Sequence, residues 1–191
     1  MAELLALTRA FILGELTVFP GWGSAETDEE SDEFEEALLD ANTCGVLSVA
    51  SQPGAPFGPG FDGRVVGGRA FVGGFCEEVV ARCLVKAAEV SGILAAVERP
   101  GTASRWSPIP AALQGGEPYL ILGPGARAAE LEIFEGAIGT SALADLREAS
   151  FLWLVDPVWG RRSRLPDVLR RASGLCLAGS ADGANPVQGR P

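Results

Sequence analysis

Residues 40–63, DANTCGVLSVASQPGAPFGPGFDG, hold the transition from which the rest of the chain is read. A helical segment stops near Asn42, Cys44 and Gly45 lead into the short apolar run GVLSVAS, and a stretch rich in Gly and Pro follows from Ser51 to Gly63. A run that short, β-branched at Val46 and Val49 and bounded by turn residues, predicts a core strand rather than a second helix. The Gly/Pro stretch is longer than a chain reversal needs, so it reads as a long loop at the strand's C-terminal end, the edge where α/β folds collect ligands.

Upstream, residues 2–16 place apolar side chains at 4, 5, 7, 11, 12 and 16, one stripe of an opening helix with Gly14 as its weak point. A second helix begins beside Ser31 as N-cap, with Glu33 and Glu35 near its positive end and Phe34, Ala37, Leu38 and Ala41 on one face. Downstream, residues 69–75 read as a strand that could pair with 64–66 across Gly67-Gly68, residues 76–91 as a helix closed by Gly92, and 93–97 as a strand. Strand, helix, strand at that spacing suggests a crossover between parallel or near-neighbour strands. Residues 100–116 read as a loop, 119–122 as a strand, 129–135 as a strand with a short helix as competitor, and 141–149 as a helix. FLWLV, residues 151–155, is the most apolar strand and should be central; a last helix runs from Pro166 to Ala172, closed by Gly174.

The expected fold is a single α/β domain over residues 1–178, with α+β as the alternative: a mixed sheet of five or six strands with flanking helices, an acidic loop at 26–36 inserted, and a flexible tail at 179–191. A chain of 191 residues, 47% hydrophobic, can bury such a core. The net charge of -10 is local, because residues 26–36 hold eight acids and no base, leaving 17 acids against 15 bases elsewhere. A balanced body has no basic face for a phosphate backbone, which argues against nucleic acid. The acidic run reads as a solvated loop or as a docking segment for a basic protein partner. No apolar run reaches the roughly 20 residues of a spanning helix, and Arg9 and Glu15 interrupt a start without a basic leader, so the expectation is a cytoplasmic protein without membrane association. A homodimer is a candidate assembly.

The chain has no histidine and no C-x-x-C pair among its four cysteines. That removes Ser-His-Asp and Cys-His dyads and histidine metal sites, and no metal or cofactor is expected. Chemistry would fall to carboxylates, thiols, hydroxyls and guanidiniums. Ser51 and Gln52 combine a hydroxyl and an amide beside a turn with open backbone donors, able to hold an oxygen of a ligand; a mere reversal at Pro53-Gly54 is the alternative. Asp62 lies in the same stretch and counts with them. Asp156, Trp159 and Arg161 follow the apolar strand within six residues, offering a carboxylate, a stacking face and a bidentate clamp; an Asp that turns the chain and pairs with Arg is the structural alternative. Cys76 and Glu77 open a helix, as nucleophile and general base or as a buried thiol and a favourable first-turn acid. Trp22 and Trp106 could wall a pocket.

LGELTVFPG (13–21), the acidic segment, LLDANTCGVLSVASQPG (38–54), residues 60–63 and 69–76, and VDPVWGR (155–161) resemble a small family of uncharacterised proteins from filamentous high-GC bacteria, with a "helix, N-x-x-G, strand, S-Q-P-G" segment and a late "V-D-P-x-W-G-R". The resemblance covers most of residues 10–165 and implies no activity. It implies that the two candidate segments recur together, and this chain departs from it in having Gly67-Gly68 where bulkier residues are usual. The expected function is a cofactor-independent small-molecule enzyme of specialised metabolism, a cyclase, isomerase or hydrolase, with Asp156 as acid/base in a pocket between 51–63 and 156–162. The alternative is a non-catalytic ligand-binding or protein-interaction module.

Overall fold

The computed structural model of the chain describes residues 1–20 and 32–182. Trp22, the proposed cap Ser31, the acidic residues 26–30 and the end of the tail lie outside the described residues. Among the described residues the fold is a mixed α+β domain of six helices and eight strands. The helices are α1 (Ala2–Ile12), α2 (Asp32–Thr43), α3 (Glu78–Ser91), α4 (Ala126–Phe134), α5 (Thr140–Glu148) and α6 (Arg164–Asp182). The strands are β1 (Leu47–Gln52), β2 (Ala55–Pro59), β3 (Val65–Gly68), β4 (Phe71–Cys76), β5 (Leu94–Glu98), β6 (Ile109–Gln114), β7 (Glu117–Leu122) and β8 (Ser150–Val155). No described helix is long and apolar enough to cross a membrane.

The strands form two four-stranded sheets, ordered β1-β4-β8-β5 and β2-β3-β6-β7, with every neighbour antiparallel. This corrects the expectation of one mixed sheet of five or six strands. Both β4 and β5 run antiparallel to β8, so they are parallel to each other with β8 between them, and α3 crosses over that strand. FLWLV is central, and β4 and β8 are buried along their whole length because both faces of the first sheet are covered. One face packs Val72, Leu152 and Leu154 against α2, α3 and α6. The other packs Phe71, Phe75, Phe151 and Trp153 against α1, α4, α5 and the inner residues Ala111 and Leu122 of the second sheet. There Phe75 meets Phe151 and Phe134 edge to face at 5.0 and 6.1 Å between centroids, contacts that fix ring orientation as well as burying area.

The N-x-x-G segment has a local explanation. The buried Asn42 donates its amide to the Leu5 carbonyl of α1 at 2.9 Å, and Gly45, at φ +94°, ends α2 and aims the chain into β1. Other expectations change. Residues 129–134 are helical, within α4, with Glu135 as its C-cap, so the competing reading wins. Residues 109–114, read as loop because of Pro108, Pro110 and Gly115-Gly116, form β6, whose pairing with β7 is irregular around Pro110 and Ala112. Helix α6 continues past Gly174 to Asp182.

The largest correction concerns the opening stretch. Residues 51–63 are mostly strand and turn, not a long loop. Strands β1 and β2 run opposite β4 and β3 as one long ribbon, with Gln52 paired to Phe71 in the first sheet and Ala55 to Gly68 in the second. The ribbon's hairpin turn lies at Gly60–Arg64, where the Gly60 N–H donates to the Arg64 carbonyl at 2.7 Å, so Gly67-Gly68 is not a turn. Pro53-Gly54, opposite Arg69-Ala70, is the bend at which the ribbon passes from one sheet to the other.

Candidate functional site

The S-Q-P-G and V-D-P-V-W-G-R segments do converge, at that bend, and they meet as a packed joint. The Asp156 N–H donates to the Ala70 carbonyl at 2.8 Å and the Gly160 N–H to the Gly68 carbonyl at 3.0 Å, carrying the ladder across the bend, while the Arg69 N–H donates to Ala111 of β6 at 2.8 Å. A Cβ on Gly54 would stand 2.4 Å from the Arg161 carbonyl oxygen, so the two backbones touch where Gly54 has no side chain. A Cβ on Gly160, at φ +72°, would stand 2.8 Å from the Pro56 Cα, a second close approach. Proline at 53 lacks the N–H that a bent ladder would leave unpaired.

Asp156 is wholly buried inside this joint. Its Oδ2 accepts from Arg161 Nε at 2.6 Å, its Oδ1 from Arg161 Nη2 at 2.7 Å and from the Val158 N–H at 2.9 Å, a bidentate clamp closed by a tight turn. The Asp156 carboxylate, through its hydrogen bonds and charge, pushes the Arg161 guanidinium further up from its ordinary value. Trp159 lies 5.7 Å from the Phe57 ring, and the Arg69 guanidinium sits 4.3 Å over its face while Arg69 Nη1 donates to the Pro110 carbonyl at 3.1 Å. Burial pulls the Arg69 pKa down against the opposing charge of Asp156. Arg69, which the sequence reading passed over, thus latches β6 to the joint.

A concavity adjoins the joint on the second sheet, with a volume of about 350 Å³. Its floor is formed by Val66 and Gly68 of β3 and their cross-strand partners Gln114 and Ala112 of β6. The Gln52 side chain reaches over from the end of β1: a Cβ on Gly68 would come within 2.2 Å of its Nε2, and one on Gly67 within 2.4 Å of the Phe57 ring. The absence of side chains at Gly67-Gly68 is what admits both. The Gln52 amide has no hydrogen-bond partner among the described residues. Phe61, fully exposed, and Tyr119 stand at the rim. Asp62 lies beside it: its carboxylate accepts from the Arg64 N–H (3.0 Å), Arg64 Nε (2.6 Å) and Gln114 Nε2 (3.0 Å). The Arg64 N–H and then its guanidinium hold that carboxyl below the usual range, and the bond to Gln114 fixes the orientation of the glutamine amide.

The remaining candidates lie elsewhere. Ser51 is half-buried in β1 opposite Val72. Cys76 pairs with Ser150 at the far end of the first sheet, away from the Phe71–Val155 end that carries the joint. Its thiol is fully buried, and desolvation, with Glu78 and Glu77 adding to it, pushes its pKa up to about 12, which favours the thiol over the thiolate. Glu77 is the N-cap residue of α3 and lines a separate hollow with Met1, Asp145 and Glu148. Trp106 packs into the second core with its indole nitrogen buried and unpartnered.

One buried carboxylate gave no signal in the sequence. Glu98, at the end of β5, accepts from the N–H groups of Gly125, Ala126 and Arg127 at 3.1–3.3 Å and so caps α4 across 27 residues. Arg127 then donates Nε to the Ala149 carbonyl at 2.9 Å, fastening α4 to the strand start at Ser150. Among the described residues no group of three or more Cys, Asp or Glu side chains is placed to hold a metal ion.

No curated protein matches the chain. The profile of a family described as "Domain of unknown function (DUF6919)" matches residues 1–174, a span that contains both halves of the joint and every lining residue of the concavity. The chain belongs to the DUF6919 family.

Proposed function

We propose that the domain is a ligand-binding module whose site is the concavity on the second sheet, and that the joint beside it is scaffold. The observation that carries the reading is the glycine floor with an unpartnered amide laid over it and aromatic side chains at its rim. A volume of about 350 Å³ lies within the usual range for small-molecule sites, roughly 300–1,000 Å³. Such a surface suits a flat, mostly apolar molecule with one polar edge, the edge paired with Gln52 and Gln114 and the face against Tyr119 or Phe61.

The catalytic alternative called on Asp156 as acid/base. The clamp of Arg161 and the complete burial of that carboxylate support a structural role, and the lining of the concavity includes one titratable side chain, Tyr119. Binding without turnover is therefore the reading favoured over acid/base catalysis.

The test uses 2-quinolone, a flat bicyclic lactam, followed by amide chemical shifts in solution. Saturable shifts should concentrate at Gly67, Gly68 and Gln114, and Gln52→Ala should weaken binding about tenfold, the value of one neutral hydrogen bond left unmade. Tyr119→Ala, at an exposed position that the fold does not need, should weaken it by a similar factor. Shifts scattered over the surface, or unchanged in both variants, would reject the site.

A further inference from the structure

The turn after β5 reads Arg99-Pro-Gly-Thr-Ala-Ser-Arg105. Gly101, at φ +66°, bends it so that the Thr102 N–H returns to the Arg99 carbonyl at 3.3 Å. The turn encloses a hollow of about 410 Å³ whose polar lining is Arg99, Thr102, Ser104 and Arg105. Two guanidiniums, the Ser104 hydroxyl and the Thr102 hydroxyl, the last held only by a long 3.5 Å bond to the Pro100 carbonyl, make a donor-rich surface in a chain whose net charge is -10.

The two arginines differ in a useful way. Arg99 is held in place: its Nε donates to both Glu78 oxygens at 3.1 and 3.0 Å and its Nη2 to Oε1 at 3.0 Å. Glu78 is itself fixed by the Ser150 hydroxyl at 3.0 Å, and the Arg99 bond comes first among the causes that keep its carboxyl below the usual range. The fork of Arg99 is thus oriented before any ligand arrives, with Nη1 uncommitted. Arg105 has no ion-pair partner among the described residues. The nearest carboxylate along the chain, Glu98, does not compete for it, since that group is buried and spent on the N-terminus of α4.

We propose that the 99–105 turn binds a phosphate group, free or as a monoester, with Arg105 and the open Nη1 of Arg99 taking its charge and Thr102 and Ser104 its remaining oxygens. Donors from four side chains around one hollow exceed what the two oxygens of a carboxylate use, and guanidinium forks match phosphate geometry. The site is separate from the concavity on the second sheet and stands or falls apart from it.

Inorganic phosphate, phenyl phosphate and acetate, each titrated into the protein at constant ionic strength, test the assignment through the amide shifts of residues 102–105. Both phosphates should saturate; tighter phenyl phosphate points to a monoester and tighter inorganic phosphate to the free ion. Arg105→Gln should weaken phosphate at least about tenfold. Arg82→Gln, whose guanidinium also approaches Glu78 but lies outside the lining, should leave it unchanged. Acetate binding as tightly as phosphate, an unaffected Arg105→Gln, or shifts that sodium chloride alone reproduces would overturn the proposal.

Discussion

Replacing Arg161 by alanine should lower the unfolding free energy by about 3–5 kcal/mol, because it strands a buried carboxylate. Asp156 would keep one bond, from the Val158 N–H, no ion-pair partner, and only the through-space charge of Arg69. The reverse change costs less. Asp156→Asn retains shape and an acceptor for Val158, and it leaves Arg161, about one-third exposed, free to turn to water, so about 1–3 kcal/mol is expected. In a domain of this size the first change corresponds to a fall in Tm of roughly 6–20 °C. Denaturant unfolding of the two variants checks the asymmetry. Were Asp156 an acid/base group instead, Asp156→Asn would remove activity and leave stability nearly intact.

Gly54→Ala should destabilise by about 1–3 kcal/mol, towards the upper limit, because the added methyl meets main chain rather than a side chain that can swing away. The obstructing atoms are the Arg161 carbonyl oxygen at 2.4 Å and carbonyl carbon at 2.8 Å. They cannot retreat without pulling the guanidinium from Asp156. Gly58→Ala, on the same ribbon with nothing within 4 Å of the new methyl, is the control and should change stability by no more than about 0.5 kcal/mol. Combined with Arg161→Ala, the Gly54 substitution should cost less than the sum of the two, since either one opens the same joint.

Elements with a strong period or a strong apolar run were legible in the sequence. FLWLV is the buried centre of the first sheet, and the helices expected at 2–16, 76–91 and 141–149 are α1, α3 and α5, with α1 ending a turn early at Ile12. What failed depended on partners far along the chain. Pro53-Gly54 and Pro110 suggested loops, yet each sits in or beside a strand: Pro53 at a bend between sheets and Pro110 at an irregularity next to β7. Gly67-Gly68 suggested a hairpin turn, whereas its lack of side chains serves Gln52 and Phe57 lying across it. Glu98 carried no local mark of its role, since its partners begin 27 residues later.

The candidate site was legible in the same uneven way. The spacing of Asp156 and Arg161 admitted an ion pair only as the alternative to a ligand clamp, while convergence of their segment with S-Q-P-G was expected. Burial, which decides between a clamp and an acid/base group, depends on how β4, β8 and the bend pack, and no local pattern encodes it. Gln114 was missed because Pro108, Pro110 and Gly115-Gly116 made its strand, β6, read as loop; residues 119–122 did read as a strand, but nothing local marks Tyr119 as lying beside Gly67-Gly68.

Native-state hydrogen exchange tests the joint most directly. The amides of Arg69, Asp156 and Gly160 donate across the bend at 2.8, 2.8 and 3.0 Å, and the Gly63 amide, bonded to Gly60 at 3.0 Å in the exposed hairpin turn, is the internal reference. If S-Q-P-G and V-D-P-V-W-G-R form a rigid joint, the three bend amides exchange only through global unfolding, as slowly as those of β4 and β8, while Gly63 exchanges by local opening. Exchange of Asp156 and Gly160 as fast as that of Gly63 would show a mobile loop and contradict the account.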